Sequence, residues 1–384
     1  MKNIYFDNSA TTKISKEVLD EMMPYLTEKY GNPSSIYSLG RESKDAIDTS
    51  RERISKSLNC KFNEIYFTNS GTESDNWAVK GIAFANKDKG KHIITTNIEH
   101  HAVLHTCEYL EKHGFEITYL PVKENGIIDI KDLKEAIRDD TILISIMYAN
   151  NEIGTIQPIK EIGEIAKERN IYFHTDAVQA VGNIDIDLKK LNIDLLTYSG
   201  HKINGPKGIG VLYIKQGTNI DNLLHGGGQE RGKRGSTENV AGIVGIGKAT
   251  EIANDNIEEK TKYLKNLREK CIEEIMKNIP DTILNGDTEK RLPGNVNVCF
   301  KYIEGESILL MLDQLGICAS SGSACTSGSL DPSHVLLAIG LPHEIAHGSL
   351  RLSFSKDNTE EEIKYLLEVL PDIISKLRRM SPLK

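Results

Sequence analysis

Strand and helix patterns alternate along most of this chain. They predict an α/β protein with a large domain, whose mostly parallel sheet is flanked by helices, and a smaller α/β domain. Strand-like apolar runs occur at 64–68, 92–96, 116–121, 141–149 and 171–175. Segments with helical spacing occur at 16–30, 41–58, 73–86, 101–113, 133–138 and 159–168. Such a sheet binds ligands at the carboxyl ends of its strands.

The pattern changes at about residue 240, where a long stretch with helical spacing runs to 276. Strand patterns then occur at 295–300 and 349–355, and helical patterns at 306–315 and 359–380. Thr359 and Glu362 have the spacing of a capping box, which predicts where the last helix begins. We therefore predict a large domain at 15–259 and a small domain formed by 1–14 and 260–384, which carries a loop at about 319–333.

The composition is that of an ordinary soluble protein and disfavours several functional classes. The 384 residues carry a formal net charge of −8, which argues against nucleic acid as a general partner. No run approaches the roughly 18 apolar residues of a membrane span. The start, MKNIYFDNSATTK, lacks the apolar region of a secretory signal, so we expect a cytoplasmic protein. The 6 cysteines contain no CxxC pair, which predicts free thiols.

The stretch 193–214, IDLLTYSGHKINGPKGIGVLYI, has the pattern of a strand, a loop and a second strand. Lys202 lies in the loop, directly after His201 and three residues after Ser199. A lysine desolvated at the end of a buried strand is an activated amine that can form a Schiff base. Taken alone, Lys202 would be interpreted as a solvated loop lysine. Its predicted neighbours must decide between these two interpretations.

Polar residues also follow four other predicted strands. Gly71 and Thr72 open the helix after the run 64–68, so the N–H groups there form either a phosphate cradle or a helix N-terminus without a ligand. The other three strand ends carry His100, Asn151, and Asp176 with Gln179. His100 is either a residue at the start of a helix or an aromatic plate that carries protons. Asp176 is either an N-cap or the partner of a cationic ring nitrogen.

Together these strand ends supply the groups that pyridoxal 5'-phosphate needs. A lysine binds the aldehyde, an aspartate keeps the pyridine nitrogen protonated, and a helix N-terminus receives the phosphate. Each residue alone has an ordinary structural explanation. Their joint occurrence at the ends of five strands in one sheet predicts this cofactor.

Two other motifs suggest different ligands. The segment 227–233 resembles the start of a P-loop, but Arg234 stands where a Ser or Thr should bind Mg²⁺. His101 and His105 have the i, i+4 spacing of zinc ligands. No third ligand is specified, and a solvated helix face accounts for these two histidines.

The second domain contributes a thiol and an arginine. Cys325 lies in the small, polar segment ASSGSACTSGSLDP, where a thiol is reachable, whereas Cys299 in the apolar run NVNVCF has the surroundings of an inert buried thiol. Arg351 lies among apolar residues in SLRLSFS. It is either ion-paired in the core or available to bind a substrate carboxylate with its planar guanidinium.

With these motifs the sequence resembles the cysteine desulfurases of the NifS/IscS type, within the class-V aminotransferases of fold-type I pyridoxal-phosphate enzymes. The resemblance runs nearly end to end through YFDNSATT, GTESDN, EHHAVL, NNEIG, HTDAVQ, SGHKINGPKGIG, HGGGQERGKRGST, SSGSACTSGSL and SLRLSFS. It implies a PLP-dependent transferase fold. The SSGSACTSG segment is similar to the long-loop subgroup of the family.

The resemblance also implies roles for individual residues. Lys202 would form the Schiff base, His100 would stack on the ring and shuttle protons, and Cys325 would be the nucleophile. The remaining cofactor contacts would come from Gly71, Thr72, Ser199 and His201 at the phosphate, Asp176 at the ring nitrogen, Gln179 at the ring oxygen, and Thr237 at the other subunit's cofactor. Asn151 and Arg351 would bind the substrate carboxylate. No resident metal is implied, although Cys325 could reach a nascent iron–sulfur cluster.

The activity implied is conversion of L-cysteine to L-alanine, with sulfur passed as a persulfide on Cys325 to an acceptor in iron–sulfur cluster assembly or tRNA thiolation. A homodimer is implied as well. A selenocysteine lyase or a pyridoxal-phosphate-dependent aminotransferase would use the same residues and stays open as an alternative. A non-catalytic scaffold with this fold is disfavoured because Lys202, Asp176 and Cys325 are all present.

Overall fold

The computed structural model describes residues 3–321 and 332–382. In these ranges the strands are β1 (Ile4–Tyr5), β2 (Ile65–Thr68), β3 (His92–Thr96), β4 (Glu116–Leu120), β5 (Thr141–Ser145), β6 (Tyr172–Asp176), β7 (Leu195–Ser199), β8 (Gly210–Ile214), β9 (Thr282–Leu284), β10 (Asn295–Phe300), β11 (Ile317–Cys318) and β12 (Ser349–Ser353). The helices are α1 (Lys16–Met22), α2 (Pro24–Thr27), α3 (Ser38–Ser57), α4 (Gly71–Asn86), α5 (His101–Glu111), α6 (Ile130–Ala136), α7 (Ile159–Glu168), α8 (Val240–Asn254), α9 (Ile257–Asn278), α10 (Gly305–Gln314), α11 (His334–Ala338), α12 (His343–Ala346) and α13 (Glu360–Met380).

Seven strands form the main sheet in the order β2-β8-β7-β6-β5-β3-β4. The pairs between β4 and β7 are parallel, whereas β8 runs antiparallel to both β7 and β2. Strands β3, β5, β7 and β8 are buried along their whole length, because helices cover both faces of the sheet. The α/β fold with a mostly parallel sheet is therefore confirmed.

A second, three-stranded antiparallel sheet has the order β12-β10-β9, and β1 pairs with β11 in parallel. Its core contains Phe6, Val298, Leu350 and Leu366. The largest cluster of the main sheet contains Ile144, Phe173 and Leu196 instead. The buried residues of the second core come from 1–14 and 260–384, and those of the main-sheet cluster come from 15–259. The domain boundaries stay a prediction. The pairing of β1 with β11 carries the N-terminal arm onto the second core.

Two predicted helices are each two helices in the structure. The stretch 240–276 breaks between α8 and α9, where Asp255 is extended and Asn256 has a left-handed φ of 51°. Asparagine tolerates that conformation better than most residues, and it ends the helical hydrogen bonding there. The stretch 16–30 divides at Pro24, which begins α2.

The start of the last helix agrees with the capping-box prediction. The Thr359 side chain accepts a hydrogen bond from the Glu362 N–H at 3.2 Å, and the Glu362 carboxylate accepts one from the Thr359 N–H at 3.2 Å. Within residues 3–321 and 332–382, no helix has the length and apolar composition needed to cross a membrane.

Candidate active site

A cavity of about 270 Å³ lies at the carboxyl ends of the main-sheet strands. Ten residues predicted from the sequence line it: Gly71, Thr72, His100, Asn151, Asp176, Gln179, Ser199, His201, Lys202 and Arg351. Thr237 is exposed and does not line this cavity. Cys325 lies outside the described residues. The structure thus brings together residues from five strand ends and from β12.

Lys202 is positioned by main-chain carbonyl groups of the N-terminal arm. It lies in the short 3-10 helix after β7, and its Nζ donates to the Ser9 carbonyl at 2.6 Å and to the Ala10 carbonyl at 2.7 Å. Thr12 attaches the arm to the same loop, because its N–H and hydroxyl donate to the His201 carbonyl at 2.8 and 2.9 Å. The amine is therefore held at the cavity wall by oriented carbonyl dipoles. Sequence reasoning missed these contacts, since small residues such as Ser9 and Ala10 gave no signal.

Asp176, the last residue of β6, is a buried carboxyl group in the cavity wall. Its side chain is 6% exposed and accepts a hydrogen bond from the Val178 N–H at 2.9 Å. Burial raises the pKa of Asp176 to about 6, although the Val178 N–H and Lys202 act in the opposite direction. A cationic N–H group placed against this carboxylate would be stabilised by it.

The N-terminus of α4 forms the opposite end of the cavity. Ser70 is the N-cap and accepts a hydrogen bond from the Glu73 N–H at 3.1 Å. Gly71 lies so close to the loop after β6 that an added Cβ would be 2.9 Å from Val178 Cγ2. Ser199 and His201 line the same cavity. Backbone N–H groups and hydroxyl groups at a helix N-terminus are suited to bind a phosphate group.

His100 is a neutral histidine in the cavity wall. Burial, followed by the charge on Lys202, lowers the pKa of His100 to about 4. Its Nδ1 accepts a hydrogen bond from the Ala102 N–H at 3.1 Å. The ring proton is therefore on Nε2, which is the atom through which His100 can donate a proton.

Arg351 is ion-paired and also lies in the cavity wall, so binding of a substrate carboxylate by this residue stays a prediction. Its side chain is buried, and its Nη2 forms an ion pair with Asp7 at 2.8 Å. Its Nη1 donates to the Asn151 carbonyl at 3.4 Å. Its Nε has no hydrogen-bond partner among the described residues. A buried N–H group without an acceptor costs free energy.

Comparisons with known proteins show the family of this chain. The model of the family "Aminotransferase class-V" matches residues 4–366. The cysteine desulfurase IscS of Methanosarcina thermophila is 64% identical over 382 residues, which cover 100% of this chain and 94% of that protein. This chain is a class-V aminotransferase of the NifS/IscS cysteine desulfurase type.

Solved structures extend the similarity to the fold. A NifS-like protein matches with a TM-score of 0.92 and 41% identity, covering 98% of this chain and 100% of that one. SspA in complex with cysteine matches with a TM-score of 0.83 and 39% identity, covering 93% of this chain and 100% of that one. The fold-type I assignment is therefore confirmed, and class-V cysteine desulfurases depend on pyridoxal 5'-phosphate.

The two competing motifs have structural explanations in this NifS/IscS fold. In the P-loop-like segment, Glu230 forms a buried ion pair with Arg51 at 2.8 Å and accepts the Phe67 N–H at 3.0 Å. The His101 and His105 rings lie 4.9 Å apart. Across the part of the chain that the structure describes, no group of three or more His, Cys, Asp or Glu side chains is arranged to hold a metal ion.

We predict that Asp176→Asn stabilises the cofactor-free protein at alkaline pH. The folded pKa of about 6 lies above the ordinary value of 3.8, so ionised Asp176 destabilises the fold as pH rises through this range. Asn should raise the free energy of unfolding by about 3 kcal/mol at pH 8, and by roughly half as much at pH 5. Urea unfolding at both pH values measures this difference.

Asp88→Asn, at an exposed carboxylate, is the control for this experiment and should change little. If cofactor-free Asp176→Asn is no more stable than the parent at pH 8, the conclusion that burial destabilises the ionised Asp176 carboxylate is contradicted.

We also predict that Gly71→Ala weakens binding of added pyridoxal 5'-phosphate. The new Cβ would clash with Val178 Cγ2 and displace the α4 N-terminus from the strand ends. The double variant Gly71→Ala/Val178→Ala should recover part of the affinity, and Val178→Ala alone serves as the control. Fluorescence titration of the cofactor-free proteins provides the dissociation constants. Equal loss in the single Gly71→Ala and double variants would contradict the steric explanation.

Proposed function

We propose that this chain binds pyridoxal 5'-phosphate in the cavity, converts L-cysteine to L-alanine and passes the sulfur as a persulfide on Cys325 to an acceptor protein. The main support is the convergence of ten predicted residues on one cavity. SspA, a relative 39% identical to this chain, was solved in complex with cysteine. We extend that ligand to the present site.

The residues of the cavity fit the cofactor. The α4 N-terminus at Gly71, where no Cβ can be added without a clash, leaves a narrow cradle for the phosphate together with Thr72, Ser199 and His201. The buried Asp176 carboxylate suits the ring nitrogen. Gln179 would donate to the ring oxygen and His100 would stack on the ring. Lys202 would bind the aldehyde, which is the only covalent bond between the protein and the cofactor in the proposal.

The bound cofactor supplies an aldehyde for the substrate amine and a ring that accepts electrons from the substrate carbon. The protein supplies orientation and proton transfer. Arg351 and Asn151, which line the cavity, hold the substrate carboxylate. The Lys202 amine takes the α-proton, and Nε2 of His100 holds a proton that it can give to the reacting groups.

Cys325 performs the sulfur step in this proposal. Its thiolate attacks the substrate sulfur, so that a new S–S bond forms while the substrate C–S bond breaks. The electron pair of the C–S bond stays with the carbon skeleton, which is protonated and leaves as alanine. The terminal sulfur then passes to an acceptor, either an iron–sulfur scaffold protein or a tRNA-thiolation enzyme.

We further propose that the chain works as a homodimer in which Thr237 reaches the cofactor of the second subunit. Thr237 is exposed and lies outside its own chain's cavity. Several large apolar side chains between α1 and α3 are also exposed, namely Leu26, Tyr30, Ile36 and Tyr37. A second copy would cover such a surface.

Cys325→Ala tests the sulfur step. The purified parent protein should be yellow and should release sulfide, in the presence of dithiothreitol, and alanine in equal amounts from L-cysteine. We expect the variant to keep its cofactor absorbance and the spectral change on adding cysteine, yet to release no sulfide. Cys318→Ala, at a half-buried thiol on β11, is the matched control and should remain active.

The same assays discriminate between the alternatives. Sulfide release by Cys325→Ala would show that Cys325 is not the nucleophile. Amino-group transfer to a keto acid without sulfur release would favour an aminotransferase, and a strong preference for selenocysteine would favour a selenocysteine lyase. A colourless protein that takes up no added cofactor would refute the proposal as a whole.

Arg351→Lys tests the carboxylate contact. Lysine keeps the charge but lacks the Nε donor and the planar fork, so we expect KM for cysteine to rise by about tenfold or more. Cofactor absorbance should be unchanged. Arg378→Lys, at a partly exposed arginine on α13 that donates to Lys301 and Asp281 carbonyls, is the control. An unchanged KM in Arg351→Lys would place the substrate carboxylate elsewhere.

A further inference from the structure

Asp75 is a buried acid in the cavity wall to which no role has yet been given. It lies on α4, one turn after Gly71, and its side chain is 1% exposed. Its Oδ1 has no hydrogen-bond partner among the described residues. An isolated carboxylate in such a place would be costly, so its charge state needs an explanation.

Two neighbouring strands place polar side chains against Asp75. Asp176 on β6 is paired in register with Thr197 on β7, and His174 lies two residues before Asp176 on the same face of the sheet. The His174 Nε2 is 3.5 Å from Asp75 Oδ1 and 3.1 Å from Thr197 Oγ1. The His174 Nδ1 is 2.9 Å from Ser145 Oγ. These residues form a buried polar layer directly behind Asp176.

The layer offers Asp75 no counter-ion. Burial lowers the pKa of His174 to about 3, so its imidazole is neutral. The charged groups that face Asp75 are the carboxyl groups of Asp176 and Glu99, and both disfavour a further negative charge. Burial, assisted by these two groups, raises the pKa of Asp75 well above its ordinary value, against a smaller opposite effect of the Thr197 hydroxyl. Lys202 and Arg351 are cations that line this cavity, and the charge on Lys202 acts on Asp176.

We propose that Asp75 is a positioning residue that keeps a proton on its carboxyl group and, as a neutral acid, holds His174 and Thr197 behind Asp176. The alternative, an aspartate paired with a protonated His174, would put two charges into a layer without solvent. In the neutral arrangement Asp75 donates toward His174 Nε2, which leaves Nδ1–H to donate to Ser145.

The consequence concerns Asp176. A second negative charge beside Asp176 would favour protonation of Asp176, because like charges in a buried site do not ionise together. With Asp75 neutral, Asp176 is the carboxyl group that is ionised, and its negative charge faces the cavity. This consequence rests on the proposed function, whereas the position of the proton on Asp75 does not.

Infrared spectroscopy of the cofactor-free protein tests the position of the proton. A carbonyl stretch of a protonated carboxylic acid should be present at pH 7 and should lose intensity in Asp75→Asn. Glu99→Gln is the matched control, because burial raises the pKa of Glu99 to about 8 and this acid contributes a band of its own. The Glu99 band should disappear as pH rises through about 8, and it should be absent from Glu99→Gln at every pH. An unchanged band intensity in Asp75→Asn would overturn the proposal.

Cofactor retention tests the positioning role. Asp75→Leu removes the hydrogen-bonding group and should weaken retention of pyridoxal 5'-phosphate by about tenfold, since buried partners are left unsatisfied. Asp75→Asn keeps a neutral donor of similar shape and should retain the cofactor within about twofold of the parent. Circular dichroism of each variant verifies folding.

Equal loss in Asp75→Asn and Asp75→Leu would mean that the negative charge is needed, and full retention by Asp75→Leu would mean that Asp75 positions nothing. Either result overturns the proposal. If the parent protein binds no pyridoxal 5'-phosphate while the infrared band behaves as expected, the proposed function fails and the protonated Asp75 stands.

Discussion

The N-terminal arm, residues 5–12, is the constraint on which the site depends. Its carbonyl groups at Ser9 and Ala10 receive the Lys202 amine, and Thr12 donates to the loop that carries that lysine. Its Asp7 pairs with Arg351 on the second sheet. One short segment, with a turn at 8–10, therefore fixes the position of a lysine from the main sheet relative to an arginine from the smaller one. Backbone groups provide much of this attachment, which explains why the arm can be built from small residues.

Burial shifts the pKa values of titratable groups in the rest of the cavity. The burial that raises the pKa of Asp176 to about 6 also lowers that of His100 to about 4, so both groups are pushed toward their neutral forms. Burying these groups costs folding free energy. The buried Nε of Arg351, which has no hydrogen-bond partner among the described residues, adds to that cost.

Much of the fold and the site could be predicted from the sequence, for reasons that individual elements make plain. Strands β3, β8 and β10 begin and end where their apolar runs do. The run 141–149 continues beyond β5, because residues 146–149 are buried without belonging to that strand. Residues at strand ends could be grouped because parallel strands end at one edge of a sheet. The break at Asn256 was not predicted, since a polar residue at that point is also compatible with a continuous helix. Asp75 was missed because the sequence of a helix does not show which strand residues its side chains contact.

The antiparallel direction of β8 has a consequence for motion. A parallel neighbour would require a long crossover after β7, but here the chain turns back within the segment 200–209. Backbone hydrogen bonds close this turn at its base: the Gly200 N–H donates to the Ile209 carbonyl at 3.1 Å, and Ser199 is paired with Gly210. The backbone beneath Lys202 therefore has little freedom to rearrange. The Lys202 amine therefore moves by rotation about its side-chain torsions, while the backbone that carries it stays in place. Each such movement changes the conformational entropy of the protein very little.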